Sequence, residues 1–389
     1  MEQHVRILVI DNLAVESLRR EVYRVLATEF QCEVHLLVPN AWQETRGQVE
    51  CEPEEGHTIH LHRSRILFGF RHQRVLYLDL VRVIRDVRPH FILAVAQPES
   101  YAAAQVCLVR RVLARGTGLG LFSSRNVDYP KEGFPYKARC THSLCDRITR
   151  ASRPDICFYR PGVAGDLLAP YARRLIYVPH VVDCSLFRKR QTESPTAEKA
   201  TVIIGYAGRL VREKGLFVLL DAMRQLPAHV RLVLVGSGPE EQRLRKLAAE
   251  NGHSDRVEFH PPVPYGDMPS TLGKMDLLVL PSLETKYWKE LFGRILIEAM
   301  ASEVPVVASD SGGIPEVLGD AGILVSSGDT PALGSALDHL CRDTTARRDL
   351  GRKGRERALR NFDVPVVAGI LGNAILNVVA STVTEGSGR

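Results

Sequence analysis

From Thr201 to Asp310 the chain alternates between short runs of branched apolar residues and longer runs with helical spacing. The short runs are "TVIIGYAG", "VRLVLVGSG", "RVEFHPP", "DLLVLPS" and "PVVASD". Between them lie "KGLFVLLDAMRQL", "PEEQRLRKLAAENG", "MPSTLGKM" and "GRILIEAMAS". A strand covered on both faces needs an unbroken apolar run, and a helix between two such strands returns the chain for a parallel neighbour. The pattern predicts a doubly wound α/β unit.

The same rhythm runs through the first part of the chain. "VRILVI" (Val5–Ile10) is followed by the helical "AVESLRREVYRVLATEF", the strand "EVHLLVP", the helix "LYLDLVRVIRDVRP" ended by Pro89, and the strand "HFILAVAQ". "YAAAQVCLVRRVLARG" and "GLGLFS" continue it. Arg188 to Ala200 is polar and has the composition of a linker. The expected organisation is therefore a doubly wound N-terminal domain over 1–182, a linker over 183–200, and a doubly wound C-terminal domain over 201–365. A last helix over 366–389 crosses back to the first domain. A chain of 389 residues is long enough for two cores.

A hydrophobic share of 45% and a charged share of 25% are those of a soluble globular protein. "VPVVAGILGNAILNVVAS" approaches the length of a membrane span, but its Pro, Gly and Asn favour docking against protein. "MEQHVRILVI" enters a strand at once, leaving no room for a signal peptide. The eight cysteines, several inside apolar runs, read as reduced thiols of a cytoplasmic protein. "CTHSLCDR" brings Cys140, His142 and Cys145 together without a second ligand pair, so no metal site is expected there. Residues 1–200 hold 29 Lys/Arg against 22 Asp/Glu, a net +7, and the remainder 22 against 23. That asymmetry suits an anionic partner or nothing more than a solvated basic surface.

Ligands of open parallel sheets bind at the carboxyl ends of strands, where helix N-termini present free N–H groups. In "YAGRLVREKG", Gly208 allows a close turn and Arg209 and Lys214 set two cations beside a helix start. Together they suit a diphosphate, although paired surface bases are common. "VLVGSGPEE" offers Gly236 and Gly238 but no third glycine, which excludes a dinucleotide fingerprint. "ELFGRILIE" places Glu290 ahead of a helix starting near Gly293 and Glu298 inside it, about 12 Å further along the axis. Two carboxylates at that spacing would accept hydroxyls on either side of a diphosphate facing the helix N-terminus. "SDSGGIPEVLGDAG" has another turn with free N–H groups around Ser311, Gly312 and Gly313, which alone reads as an ordinary turn.

The string "GRLVREKG…LVGSGP…PSLETKYWKELFGRILIEAM…PVVASDSGGIPEVLGDAG" resembles the retaining glycosyltransferases of family 4, which have the GT-B fold. The resemblance covers residues 178–335 strongly and the N-terminal part more weakly. It implies two Rossmann-like domains facing a central cleft, and transfer of a hexose from a nucleotide diphosphate sugar by front-face substitution, with no metal and no cofactor. Arg209 and Lys214 would neutralise the diphosphate, Glu290 bind the transferred sugar and Glu298 the ribose. Backbone N–H groups around Leu291, Phe292 and Gly293 would meet sugar and phosphate, with Gly208, Gly236 and Gly238 shaping the donor loops.

Three departures from the family pattern stand out. The turn after the first strand, "IDNLAVESLRR", has no glycine; Ser123, Ser124, Arg125 and Asn126 stand where members often carry a His; and Leu291 stands where a small residue or Pro is usual. Arg125 and Asn126 are acceptor-side candidates. The acceptor is unidentified, peripheral association with an anionic membrane surface at its cytoplasmic face is an expectation, and no nucleic acid is expected. The alternatives are another GT-B enzyme, such as a sugar-nucleotide epimerase or a disaccharide synthase, and an inactive nucleotide-sugar-binding protein.

Overall fold

The computed structural model describes residues 4–44, 47–56, 58–68, 74–123, 136–159, 165–188, 201–285 and 288–386. Two units are formed, Met1–Pro179 with Val364–Arg389, and His180–Asp363.

In chain order the first unit contains β1 (Val5–Ile10), α1 (Glu21–Thr28), β2 (Cys32–Pro39), β3 (Ala41–Glu44), β4 (Gly47–Glu50), β5 (His60–Ser64), β6 (Ile66–Leu67) and β7 (Leu76–Tyr77). It continues with α2 (Leu80–Val87), β8 (Phe91–Ala94), α3 (Tyr101–Leu113), β9 (Gly118–Ser123), α4 (Tyr136–Ser152), β10 (Ile156–Tyr159), α5 (Gly165–Leu168) and β11 (Arg174–Tyr177). A parallel sheet runs β11-β10-β9-β8-β1-β2-β5. Its central strands are buried from end to end, as helices on both faces require. The antiparallel ladders β3–β4 and β6–β7 are additions that the apolar pattern does not announce.

The second unit contains β12 (Val202–Ala207), α6 (Leu216–Ala222), β13 (Val230–Val235), α7 (Glu241–Glu250), β14 (Val257–His260), α8 (Met268–Leu272), β15 (Leu277–Leu280) and α9 (Arg294–Ala301). Then follow β16 (Val306–Asp310), α10 (Ile314–Leu318), β17 (Ile323–Ser326), α11 (Thr330–Arg342) and α12 (Thr344–Asn361). Its sheet is parallel, in the order β14-β13-β12-β15-β16-β17. Renumbered from one, that is 3-2-1-4-5-6, the doubly wound order, with its switch point between β12 and β15.

Residues 180–188 depart from the expected boundaries at 182 and 183. Rather than ending the first domain and opening a linker, they pack in the second unit, where Phe187 is fully buried. Val182 bridges Asp363, whose carboxylate accepts from Cys184 N at 3.1 Å, and Arg355 donates to the carbonyls of Cys184 and Phe187. Residues 189–200 lie outside the described residues. The last helix, α13 (Val364–Gly386), begins two residues earlier than expected and packs on α1 and β9 of the first unit. Val364–Thr382 is apolar and long enough to cross a membrane by length and composition. Cys32, Cys51, Cys107, Cys145, Cys157, Cys184 and Cys341 are buried and free of disulfides.

The turn after β1 also differs from expectation. The predicted helix from Ala14 breaks at Arg20, and α1 starts at Glu21. Arg20 is fully buried. Its Nε donates to Ala14 O at 2.8 Å, and its two terminal nitrogens to Val15 O, Glu52 O, Pro53 O and the Glu54 carboxylate at 2.7–3.1 Å. Arg24 donates to both oxygens of Glu54, at 2.7 and 2.9 Å. One guanidinium therefore satisfies carbonyls that neither helix nor sheet would reach. Burial alone would raise the Glu54 carboxyl, but hydrogen bonds and charge from Arg24 and Arg20 outweigh it and hold the group below its ordinary value.

Arg20→Met should lower stability by about 3–5 kcal/mol in urea unfolding, because it leaves the carbonyls of Ala14, Val15, Glu52 and Pro53 without this donor. Since the folded Glu54 pKa is depressed, its stabilisation is complete above the unfolded value and is lost as pH falls through the folded one. Glu54→Gln should accordingly flatten the acid limb of the stability–pH curve.

Candidate functional site

β12 and β15 are adjacent strands whose following helices leave in different directions, so the loops beyond their carboxyl ends have a crevice to themselves. The loop after β12 carries Arg209 and ends in a single 3-10 turn, Arg212–Lys214. The loop after β15 carries Ser282 and, past 286 and 287, reaches Trp288 and Glu290 before α9.

Lys214 Nζ is bonded to Glu290 Oε2, and Ser282 Oγ donates to the same oxygen at 2.9 Å. The pair is largely shielded from solvent, with 14% and 9% of the two side chains exposed. The Trp288 ring lies 5.4 Å from Lys214 Nζ, so the ammonium also faces an aromatic surface. The backbone of Glu290 is held from the next loop: its N–H approaches Ser311 Oγ at 3.4 Å, and its carbonyl accepts from Gly313 N at 2.9 Å. Gly312 has φ +56°, and a Cβ there would lie 2.0 Å from Glu290 O. Its N–H reaches Glu284 Oε2 at 3.3 Å, and Glu284 also binds Lys289. Lys289 and that N–H hold the Glu284 carboxyl below its ordinary value.

Gly293 is the N-cap of α9 with φ +70°, a conformation that favours glycine. The first N–H groups of α9 have no acceptor within the helix. Leu291 is half-buried, whereas Phe292 is 2% exposed and packs on His180 at 4.5 Å and Phe362 at 5.8 Å between ring centres. Only the backbone of Phe292 remains for a ligand. Glu298, 7% exposed, lies within α9 one turn from Arg294, at 3.7 Å.

Arg209 is exposed, and its carbonyl accepts from the Tyr206 hydroxyl at 2.7 Å. Burial first, then the charge of Glu290, pushes the Tyr206 hydroxyl far up against the opposing effect of Arg209, so it stays a donor. The remaining glycines act by close approach. Gly208 N and Gly236 N are already bonded to Val235 O and His260 O, at 2.9 Å each. A Cβ on Gly236 or Gly238 would lie 1.9 or 2.2 Å from the carbonyl oxygens of Gly208 and Leu210. These residues let the first two loops lie side by side.

Arg125 and Asn126, with Ser124, lie outside the described residues. Ser123 is buried and donates to Gln97 Oε1 at 2.6 Å. In "CTHSLCDR", Cys145 is buried and His142 Nδ1 lies 3.1 Å from Glu99 O. Ser282, Trp288 and Glu284 were not singled out as ligand-site residues from sequence. The carboxyl-end position of Ser282 was the one available signal for it.

Residues 187–357 match the family described as "Glycosyl transferases group 1". The matched residues all lie in the second unit. The GDP-mannose-dependent monoacylated alpha-(1-6)-phosphatidylinositol monomannoside mannosyltransferase of Corynebacterium glutamicum is 31% identical over 218 residues, covering 53% of this chain and 56% of that protein. The chain spans about half the length of that relative. Among solved structures, sucrose-phosphate synthase from Thermosynechococcus elongatus superposes with a TM-score of 0.69 at 21% identity, over 97% of this chain and 100% of that one. HepE from Anabaena in complex with UDP gives 0.67 at 17%, over 96% and 100%. These likenesses show the fold, which is GT-B, built of two Rossmann-like units.

Gly312→Ala should cost more than about 1 kcal/mol, since the left-handed φ and the Glu290 carbonyl both oppose a side chain. Gly369→Ala, in α13 with nothing within 4 Å of its Cβ position, should be neutral or stabilising. Thermal melting of the two variants distinguishes them.

Proposed function

We propose that the protein is a retaining glycosyltransferase, moving a hexose from a nucleotide diphosphate sugar to an acceptor hydroxyl without a metal ion. The observation that carries this reading is the Lys214–Glu290 pair at the switch point of the sheet, within the residues that match glycosyl transferases group 1. A donor of this class, GDP-mannose, is named for the corynebacterial enzyme, and the HepE complex holds UDP, the nucleotide part of such a donor.

In the proposed reaction the bond from the sugar C1 to the diphosphate breaks, and its electron pair leaves on phosphate. The acceptor oxygen bonds C1 from the same face, and its proton passes to the departing phosphate oxygen. Arg209 and Lys214 bear the growing charge, helped by the first N–H groups of α9 near Leu291, Phe292 and Gly293. Glu290 accepts a hydroxyl of the transferred sugar while its other contacts keep it oriented. Glu298 accepts from the ribose. Gly208, Gly236 and Gly238 serve by shaping the loops, and Arg125 and Asn126 are assigned to the acceptor side from sequence.

The acceptor is left open as to class, but an anionic membrane face at the cytoplasmic side fits the first unit. α3 and α4 pack together and expose Leu108, Val112 (73% exposed) and Leu144 among Arg111, Arg115 and Arg147. Liposome binding that does not depend on acidic lipid would remove this part.

Thermal-shift screening of nucleotide sugars identifies the donor, because a ligand of the folded state raises the melting temperature. With that donor, Glu290→Gln should lower kcat by about 10²–10³, and Lys214→Arg should retain the fold and more activity than Lys214→Met. Glu298→Ala should act mainly on KM, by about tenfold or more. NMR of the first-formed product should show the anomeric configuration of the donor. An inverted product removes the retaining mechanism, and unchanged activity in Glu290→Gln removes the site.

A further inference from the structure

Four potential metal ligands gather on one face at the edge of the first unit's sheet. β5 is the edge strand, paired in parallel with β2, so that His60 stands beside His35 and His62 beside Leu37. Cross-strand partners share a face and alternate residues return to it. Glu33, His35, His60 and His62 therefore project together. The His35 ring stacks on those of His60 and His62, with centres 4.6 and 5.3 Å apart. His35 Nε2 lies 3.0 Å from Glu33 Oε1, and His35 Nδ1 lies 3.0 Å from His62 Nε2. One ligand atom from each of Glu33, His35 and His60 falls within 4.8 Å of the other two.

The geometry points to a divalent transition-metal site, of the class that takes Zn2+ or Co2+, with Glu33, His35 Nε2 and His60 as ligands. Two imidazoles and a carboxylate are a donor set that suits such ions and suits Ca2+ or Mg2+ poorly. His62 completes the arrangement from behind. A ligating imidazole characteristically uses its second nitrogen in an orienting hydrogen bond, and His35 Nδ1 has that partner at 3.0 Å. Tetrahedral bonds of 2.0–2.1 Å would bring ligand atoms to about 3.3 Å from one another. His35, only 8% exposed, is fixed, whereas His60 is exposed and the Glu33 side chain is 39% exposed, so both can rotate to close the span.

An ion has a route in. Glu33 and His60 line an open depression together with His4, Thr28, Gln31 and Thr58. Against the ion stand two cations, Arg6 near His35 and Arg82 near His62; Asp86 offsets the second. Arg6 is drawn aside, its Nε donating to Arg88 O at 3.1 Å. Bound there, an ion would staple the edge strand β5 to β2. The site belongs to the other unit from the proposed donor residues and does not rest on the transferase reading.

The full chain, without a histidine tag and stripped with a chelator, is titrated with Zn2+ by calorimetry and with Co2+ by absorption. The expected result is one ion per chain with cobalt d–d bands. His60→Ala and Glu33→Gln, both at solvent-accessible positions, should each weaken binding by about tenfold or more, and His142→Ala should leave it unchanged. Zn2+ should raise the melting temperature of the wild type and not that of His60→Ala. Absence of stoichiometric binding, or equal affinity in the His60→Ala/Glu33→Gln double variant, overturns the site.

Discussion

The second unit depends on a constraint of parallel sheets: two neighbouring strands whose chains depart to opposite faces leave a gap that no helix covers. β12 and β15 are those strands here. Their loops cannot complete their hydrogen bonds within a helix or a ladder, so they do so with one another and with the loops beside them. Gly208 N meets Val235 O, Leu210 N meets Ser237 O, Leu283 N meets Glu213 O, and Gly313 N meets Glu290 O. Lys214 and Glu290 meet at this seam because each is delivered by one of the two diverging loops. The pair is 76 residues apart in sequence, and it is the topology that makes it local.

Much of this was legible in the chain. Buried parallel strands announce themselves as unbroken apolar runs, and β12, β13, β15 and β16 fall on the runs that predicted them. The start of α9 was visible in Gly293, because a left-handed cap narrows the choice of residue. The side-chain partners were not visible. Spacing proposed Lys214 for a diphosphate and the family resemblance Glu290 for a sugar, as separate duties; the fold binds them to each other. Periodicity likewise shows that Phe292 is apolar without showing that His180 and Phe362 enclose it. The linker was set to open at 183, ahead of the polar composition that starts at Arg188, and the apolar side chains of Cys184 and Phe187 lie in the core of the second unit.

Arg20 illustrates a different limit. A glycine after the first strand would let the turn close on its own backbone, and this chain has none. The turn is closed instead by a buried cation that gathers carbonyls from residues 14–15 and 52–53 with the carboxylate of Glu54. No local pattern marks this arginine as internal, since its partners Glu52, Pro53 and Glu54 lie more than thirty residues away. The histidines of β2 and β5 are hidden for the same reason. They lack the spacing of a metal motif because a strand pairing, not a turn, assembles them.

Under the transferase reading, the Lys214–Glu290 pair has a physical consequence. A nearly buried ammonium or carboxylate alone would be costly, and the two held together are close to neutral. An arriving diphosphate therefore meets a site whose lysine already has a partner, and much of its charge must be met elsewhere. Exposed Arg209 and the N–H groups at the start of α9 are the groups positioned to do so. In turn, Glu290 need not move to become an acceptor for a sugar hydroxyl, because Ser282 Oγ and the Gly313 N–H hold the carboxylate and its backbone. The arrangement spends its rigidity on the sugar and leaves the phosphate to groups that solvent reaches, an order that suits a donor whose diphosphate must depart after the sugar has been transferred.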